Sequence, residues 1–542
     1  MNNIAILHVE NTDNLIDFAT FLVNNGWTLV SANKTEELLK KQKLPVIHEP
    51  ALSENNIQIT DSSTLIRQIL LSRLPDSDDY LRQNESTHTN IQIICMNIKP
   101  LLKVPTSSNI QKQQEAIPPA NYYISTVLRN SFINYRNLLI LTDPDDYKEA
   151  MIQLRTDNVR DDFRLYLAAK CLNLISAYDS GISDSLLYNS IEKKDFLNYL
   201  MFPYKKENII KSGINETQKA CIYRFPLDSD EANLFSKLHL RDFDFNTISD
   251  ISLGWELISS LYETLRNQLS VKSTNSDGYD FTTQFTPLTG TVFTAAIKLR
   301  CIVGSSLSSN VLDSFKKTYT YDRENITNVT LACSAVIDEA AAGEIVKCDF
   351  LAIVAPGFTD EAKVILAENK NIRLIPIEKI TRHHFDIQLI NGGLLAQSCD
   401  TTLFEHWYVK TRNRPSQNKT DQMAFGMLLA SKARSHCAVL LNNNSIVGIA
   451  QGASSPNMAL ELVLYEAKRH KTRNDPDSPD KVADVLICDT AFTFCEIVKD
   501  IIENGVSAII QTGPANNDEE FIQYCNDNDV VLIYTGTTHI SF

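Results

Sequence analysis

The sequence predicts an α/β protein of more than one domain, with a parallel sheet in its N-terminal part. Short apolar runs alternate with helical patterns from the first residues onward. The 542 residues exceed one ordinary core, since domains average about 150 residues. Hydrophobic residues make up 43% and charged residues 22%, the balance of a soluble globular chain.

Taken in order, IAILHV reads as a buried strand and LIDFATFLVNNG as a helix closed by Asn and Gly. TLVSA is a second strand, and TEELLKKQK a polar-faced helix. IQIICMNI (91–98) and NLLILTD (137–143) add strands to the same sheet. RDDFRLYLAAKCLNLISAYDSGISDSLL predicts a long helix ending near Gly181. One α/β domain is therefore expected over 1–195, bounded by the Lys-rich polar stretch at 190–215. Beyond it, SLGWELISSLYETLRNQ predicts a helix and KSTNSDGYD an exposed loop. Strands at TAAIKLRCIVG, FLAIVAPG and IRLIPI are interleaved with helices, as are AVLLNNNSIVGIAQG, VLICDT, VSAIIQTG and VVLIYTG. This recurrence predicts two related α/β subdomains, 200–375 and 376–542.

A net charge of -15 argues against a nucleic-acid partner, because neutralising phosphates requires clustered Lys and Arg. Eleven cysteines run from Cys95 to Cys525 without a CxxC pair, which fits dispersed reduced thiols better than zinc ligands. The opening MNNIAILHVE lacks a basic n-region, and no run approaches the roughly 20 apolar residues of a membrane span. A cytoplasmic protein without a membrane partner is expected.

Local motifs are nearly silent about chemistry. There is no GxxxxGK[ST], HExxH or GxSxG sequence. His383-His384 reads as a surface loop rather than a metal site, since adjacent residues point in different directions. With 17 glycines in all, glycine-rich phosphate loops are not expected. IVGIAQGAS (446–454) fits a backbone-rich turn near a ligand or a plain strand and turn.

Longer segments carry a family resemblance. IVAPGFTDEAKVIL (353–366), NGGLLAQSCD (391–400), WYVKTRNRPS (407–416) and the final run from GVSAIIQTG to the C-terminus resemble the formyltransferase half of AICAR formyltransferase/IMP cyclohydrolase. LVSANKTEELLKKQKLPV (29–46), LRNSFINYRNLLILTDPDDY (128–147) and GINETQKACIYR (213–224) resemble its cyclohydrolase half and substrate loop. The resemblance covers most of the chain and is weakest at 265–345. It implies a methylglyoxal-synthase-like parallel-sheet domain followed by two cytidine-deaminase-like α/β subdomains. It also implies formyl transfer from 10-formyltetrahydrofolate, the co-substrate, to AICAR ribotide, then closure of the purine ring. The family's intertwined homodimer implies a homodimer, or a heterodimer with an active paralogue.

The residues with chemical duties depart from the family. Its Lys-His pair falls on Lys298 and Leu299, and leucine neither carries a proton nor hydrogen-bonds an amine. Its Gln-x-Ser-Arg falls on Ala453 to Pro456, its Ser-Asn on Ser435-His436, and a usually basic position is Thr538. In the first half, Lys-Thr-Leu-His-Pro has become Ser63 to Arg67, the motif's Tyr has become Lys99, and a catalytic Lys has become Ile133. The glycine pair of the phosphate turn is Asn33-Lys34. Lys298 is the main surviving residue of catalytic type. Thr35, Thr64, Asn97, Asn134, Asn215, Gln218, Asp489 and Phe492 remain at positions where the family binds substrate. Two readings follow: a silent or strongly impaired homologue acting as a binding or regulatory partner, or a divergent working enzyme that rebuilt its sites.

Overall fold

The computed structural model describes residues 3–48, 91–98, 119–156, 158–188, 196, 198–202, 204–224, 243–262, 270–287, 290–377, 385–474 and 481–541. The chain forms two compact units, 1–207 with 223–229, and 208–222 with 230–542. A two-stranded ribbon, β6 (Lys205–Ile210) with β7 (Ala220–Arg224), contains two of the three points where the chain passes from one unit to the other.

The first unit holds a five-stranded sheet in the order β3-β2-β1-β4-β5. Its strands are β1 (Ile4–Val9), β2 (Thr28–Ser31), β3 (Val46–His48), β4 (Ile91–Asn97) and β5 (Leu139–Leu141). All pairs are parallel. β1 is buried at every position, the pattern of a strand covered on both faces. One face packs on helix Leu15–Asn24, the other on helices Pro119–Ser131 and Asp161–Tyr188. The last of these does not end near Gly181 as expected. Tyr178 and Ile182 pack on the core around that glycine, so its apolar face carries the helix on to Tyr188.

The second unit holds a 13-stranded sheet built from a repeated pattern. The first pass is helix Phe245–Ser260, β10 (Val292–Lys298), β11 (Cys301–Ser308), helix Val311–Tyr321, β12 (Val329–Cys333), helix Glu339–Ile345, β13 (Phe350–Ala355), helix Asp360–Leu366 and β14 (Arg373–Pro376). The second is helix Gln417–Lys432, β18 (Ala438–Asn442), β19 (Ser445–Ala450), helix Pro456–Asn474, β20 (Val485–Cys488), helix Glu496–Glu503, β21 (Ala508–Gln511), helix Asp518–Asp527 and β22 (Val531–Tyr534). In each, an antiparallel hairpin pairs through its first strand with three mutually parallel strands. The halves meet at β11 and β19, and β17 (His406–Val409), β8 (Ser270–Thr274) and β9 (Asp280–Gln284) extend the β22 edge. A separate ribbon pairs β15 (Phe385–Ile390) with β16 (Gly393–Ser398).

The repeat extends to single residues. Gly304 opposes Ala296 in the first hairpin, and Gly448 opposes Leu440 in the second. A Cβ on Gly304 would lie 2.7 Å from the Thr318 carbonyl oxygen, and one on Gly448 would lie 2.5 Å from that of Val463. Both helices therefore rest their backbone directly on the sheet.

Three expectations are corrected. The helix expected from Ser252 starts at Phe245, because Asp244 caps it by accepting from the Thr247 N–H at 2.7 Å. KSTNSDGYD is a hairpin: Lys272 to Thr274 belong to β8, and only the turn at Asn275–Tyr279 lies between strands. TAAIKLRCIVG is a hairpin turning at Leu299-Arg300, not one strand. His383-His384 lies outside the described residues.

The close approaches set a test. Gly304→Ala and Gly448→Ala should each lower unfolding free energy by about 1–3 kcal/mol in denaturant titrations. Gly181→Ala, whose Cβ meets nothing within 4 Å, should be neutral or stabilising by up to about 1 kcal/mol.

Candidate functional site

In the first unit, β1 and β4 are neighbours whose chains leave toward opposite sides of the sheet. Ligands in such sheets bind outside the carboxyl ends at that switch point. Here that edge is occupied by the protein's own side chains. Asn97 Oδ1 accepts from the N–H groups of Glu10 at 2.8 Å and Asn11 at 2.9 Å. The Thr35 hydroxyl accepts from the Val9 N–H and donates to the Val9 carbonyl, both at 3.0 Å. Three consecutive backbone donors, Val9 to Asn11, are thus satisfied internally. Helix Asn33–Lys41 opens on Asn33 at φ 55 and carries buried Glu36 in its first turn. A hydrogen bond from Lys40 at 2.5 Å, opposed by burial and helped by His48 at 2.6 Å, holds the Glu36 carboxyl below its ordinary value.

Thr35 and Asn97 therefore converge on one segment. Asn134 does not join them: it is buried in a 3-10 turn before β5, at the opposite edge, with Asn137 Nδ2 donating to its Oδ1 at 2.9 Å. Thr64 lies outside the described residues, as do Ser63, Leu65, Ile66, Arg67 and Lys99. Sequence reading missed Lys170, which lies 2.7 Å from both Asp143 and Asp146 beyond the end of β5. Burial drives both carboxyls upward; Lys170 outweighs it at Asp143 but not at Asp146.

In the second unit, Lys298 ends β10 beside a two-residue turn. Leu299 and Arg300 take φ 52 and 60, a conformation usually reserved for Asn and Gly. Asp250, buried on helix Phe245–Ser260, accepts from the Leu299 N–H at 3.0 Å and the Arg300 N–H at 2.6 Å. Burial pushes the Asp250 carboxyl up, against the pull of these two donors. Lys298 Nζ donates to the Thr327 carbonyl at 2.9 Å, while Leu299 is 57% exposed.

At the end of β20, Asp489 is fully buried. It accepts from Ser435 Oγ at 2.5 Å, the Cys437 N–H at 2.9 Å and Thr490 Oγ1 at 3.2 Å. His436 Nδ1 lies 3.1 Å from Thr490 Oγ1. Burial raises the Asp489 carboxyl despite these donors. In the other repeat Ser334 takes the same place, accepting from the Phe293 N–H at 2.9 Å. Phe492 is a core side chain, its ring 5.6 Å from that of Phe521. Asn215 and Gln218 are exposed and bonded to each other: Gln218 Oε1 accepts from the Asn215 N–H at 2.9 Å. Among the described residues, no group of three or more His, Cys, Asp or Glu is placed to hold a metal.

Asp489 supplies a prediction with a definite sign. Its folded-state value lies above the unfolded one, so ionising it costs stability. The cost is absent below the unfolded carboxylate range and fully present above the folded value. Stability should fall as pH rises from about 4, and Asp489→Asn should remove that fall. Equal slopes for the two proteins in unfolding titrations would contradict it.

Comparisons with known proteins agree with this architecture. The family model described as AICARFT/IMPCHase bienzyme matches residues 133–464. The bifunctional purine biosynthesis protein PurH of Brachyspira hyodysenteriae is 27% identical over 544 residues, covering 99% of each chain. The protein of the same description from Clostridium acetobutylicum is 28% identical over 542 residues, again covering 99% of each. The Fusobacterium nucleatum protein is 27% identical over 546 residues with the same coverage. With more than half of its length inside that family model and relatives matching end to end, the chain belongs to the AICARFT/IMPCHase bienzyme family.

Proposed function

We propose that this family member has lost, or retains only weakly, both formyl transfer and ring closure, and acts as a binding or regulatory partner in purine synthesis. The observation that carries the reading is the turn after β10. Formyl transfer to a weakly nucleophilic amine needs a proton acceptor and a stabiliser for the oxyanion. At the position of the family's histidine stands Leu299, and the adjacent Lys298 ammonium is spent on the Thr327 carbonyl. Pro456, where the family has an arginine, offers no charge to a phosphate. The residues present do not fit 10-formyltetrahydrofolate as a reacting partner.

The first unit supports the same reading. The donors of Val9 to Asn11 are already taken by Thr35 and Asn97, and Ile133 replaces the family's lysine. On this reading 1–195 is the methylglyoxal-synthase-like, cyclohydrolase-derived domain. Residues 200–375 and 376–542 are the paired cytidine-deaminase-like subdomains, and the protein works in the cytoplasm. Its partner is a second copy or an active paralogue. Exposed Leu389, Leu394 and Leu395 on the β15–β16 ribbon supply apolar surface for such a partner.

The test follows formyl transfer and IMP formation separately, using purified protein, AICAR ribotide and 10-formyltetrahydrofolate. Each missing group removes about ten- to a thousandfold in rate. Both activities should therefore lie at least about a thousandfold below an authentic family enzyme. Turnover within about tenfold of such an enzyme would establish a divergent working enzyme instead.

A further inference from the structure

The segment after β22 is fastened by a histidine whose two ring nitrogens both face acceptors. His539 is 1% exposed. Its Nδ1 lies 2.6 Å from Asp400 Oδ2, and its Nε2 lies 2.7 Å from the Leu403 carbonyl oxygen. A carbonyl cannot donate, and neither can an ionised carboxylate. Asp400 is ionised: burial pushes it up, but the His539 hydrogen bond and charge, with Lys432 behind them, bring it below its ordinary value. A neutral imidazole has one N–H and one lone pair, so either tautomer would set a lone pair against an oxygen. Both contacts hold only when the ring carries two protons.

The same segment lies over the Asp489 cluster. The His539 N–H donates to the Asp489 carbonyl at 3.2 Å. The Ser435 N–H donates to the Ser541 carbonyl at 3.0 Å, and the Ser541 N–H returns to Ser435 Oγ at 3.1 Å. Among the described residues, the charged or titratable groups around the fastening include Asp400 after β16, Lys432 ending helix Gln417–Lys432, His436 and Cys437 before β18, and Asp489 after β20.

We propose that His539 and Asp400 form a proton-operated latch that closes the segment Thr535–Ser541 over Ser435 and Asp489. With the ring charged, the segment is tied to Asp400 and Leu403 and the cluster is shut. Removing one ring proton leaves one of those oxygens without a donor, and the segment lifts. The Asp400 share of the fastening is present above the unfolded carboxylate range and is lost as pH falls through its depressed folded value. The latch therefore has an acid limit set by Asp400. It governs access to the cluster whether or not the purine reading holds.

Hydrogen–deuterium exchange of the full chain tests this, corrected for intrinsic rates, from about pH 5 to about pH 9. Peptides spanning 535–541 and 435–438 should lose at least tenfold protection toward the alkaline end, while β20 stays protected. His539→Gln, whose amide has donors on its nitrogen side only and an accepting oxygen on the other, should show low protection of these peptides at every pH. Asp400→Asn should move the loss to lower pH. Nitrogen NMR of the histidine rings covers the case in which a variant fails to fold: both His539 nitrogens should be protonated at neutral pH. A single protonated nitrogen there, protection that ignores pH, or an unchanged pH profile in His539→Gln would overturn the latch.

Discussion

The second unit depends on one junction, where two repeats are joined into a continuous sheet through few backbone hydrogen bonds. β11 meets β19 at Ser306 and Ser445, with the Leu307 N–H donating to the Asn444 carbonyl at 2.9 Å. Gln451 extends the seam. Its Nε2 donates to the Ile302 carbonyl at 2.9 Å, and its Oε1 accepts from the Ile302 N–H at 3.1 Å. A side-chain amide thus does what a strand peptide would do and satisfies both polar groups of a buried residue. Gln451 follows β19, two residues before Ala453, whose backbone exchanges hydrogen bonds with His436 beside Ser435, and Ile302 lies in β11 just after the Leu299-Arg300 turn that follows Lys298. The turn and the cluster are therefore held by the same seam.

Within that frame, several site-like positions among the described residues bond to the protein's own groups. Asp250 holds two non-glycine residues in the left-handed region. Asp489 pins the backbone opposite it, as Ser334 does in the other repeat. Thr35 and Asn97 quiet the donors at the end of β1. In all of them, groups able to meet a ligand meet the protein instead.

What the sequence made legible follows the range of the interactions. The apolar runs IAILHV, FLAIVAPG and VLICDT read as strands because their burial is written in their own residues. The hairpin at Leu299-Arg300 was illegible because its turn chemistry comes from Asp250, 49 and 50 residues away. In the second hairpin, Asn443 and Asn444 at φ 47 and 59 did carry a local turn signal, which a reading by apolar runs passed over. Thr35 and Asn97 could be named from the family resemblance. That they converge on the backbone of one segment required the sheet order. His539 and Lys170 had no local signal at all, since their partners lie 139 and 24 residues away in sequence.

The central claim is that a family scaffold has been kept while its chemistry has been given up. Growth measures this most directly. The chain would be expressed, with its soluble yield checked, in a purine-requiring strain lacking both family activities. The account predicts no growth without added purine, against full growth from an authentic family enzyme expressed alongside. Growth on purine-free medium from this chain alone would contradict it.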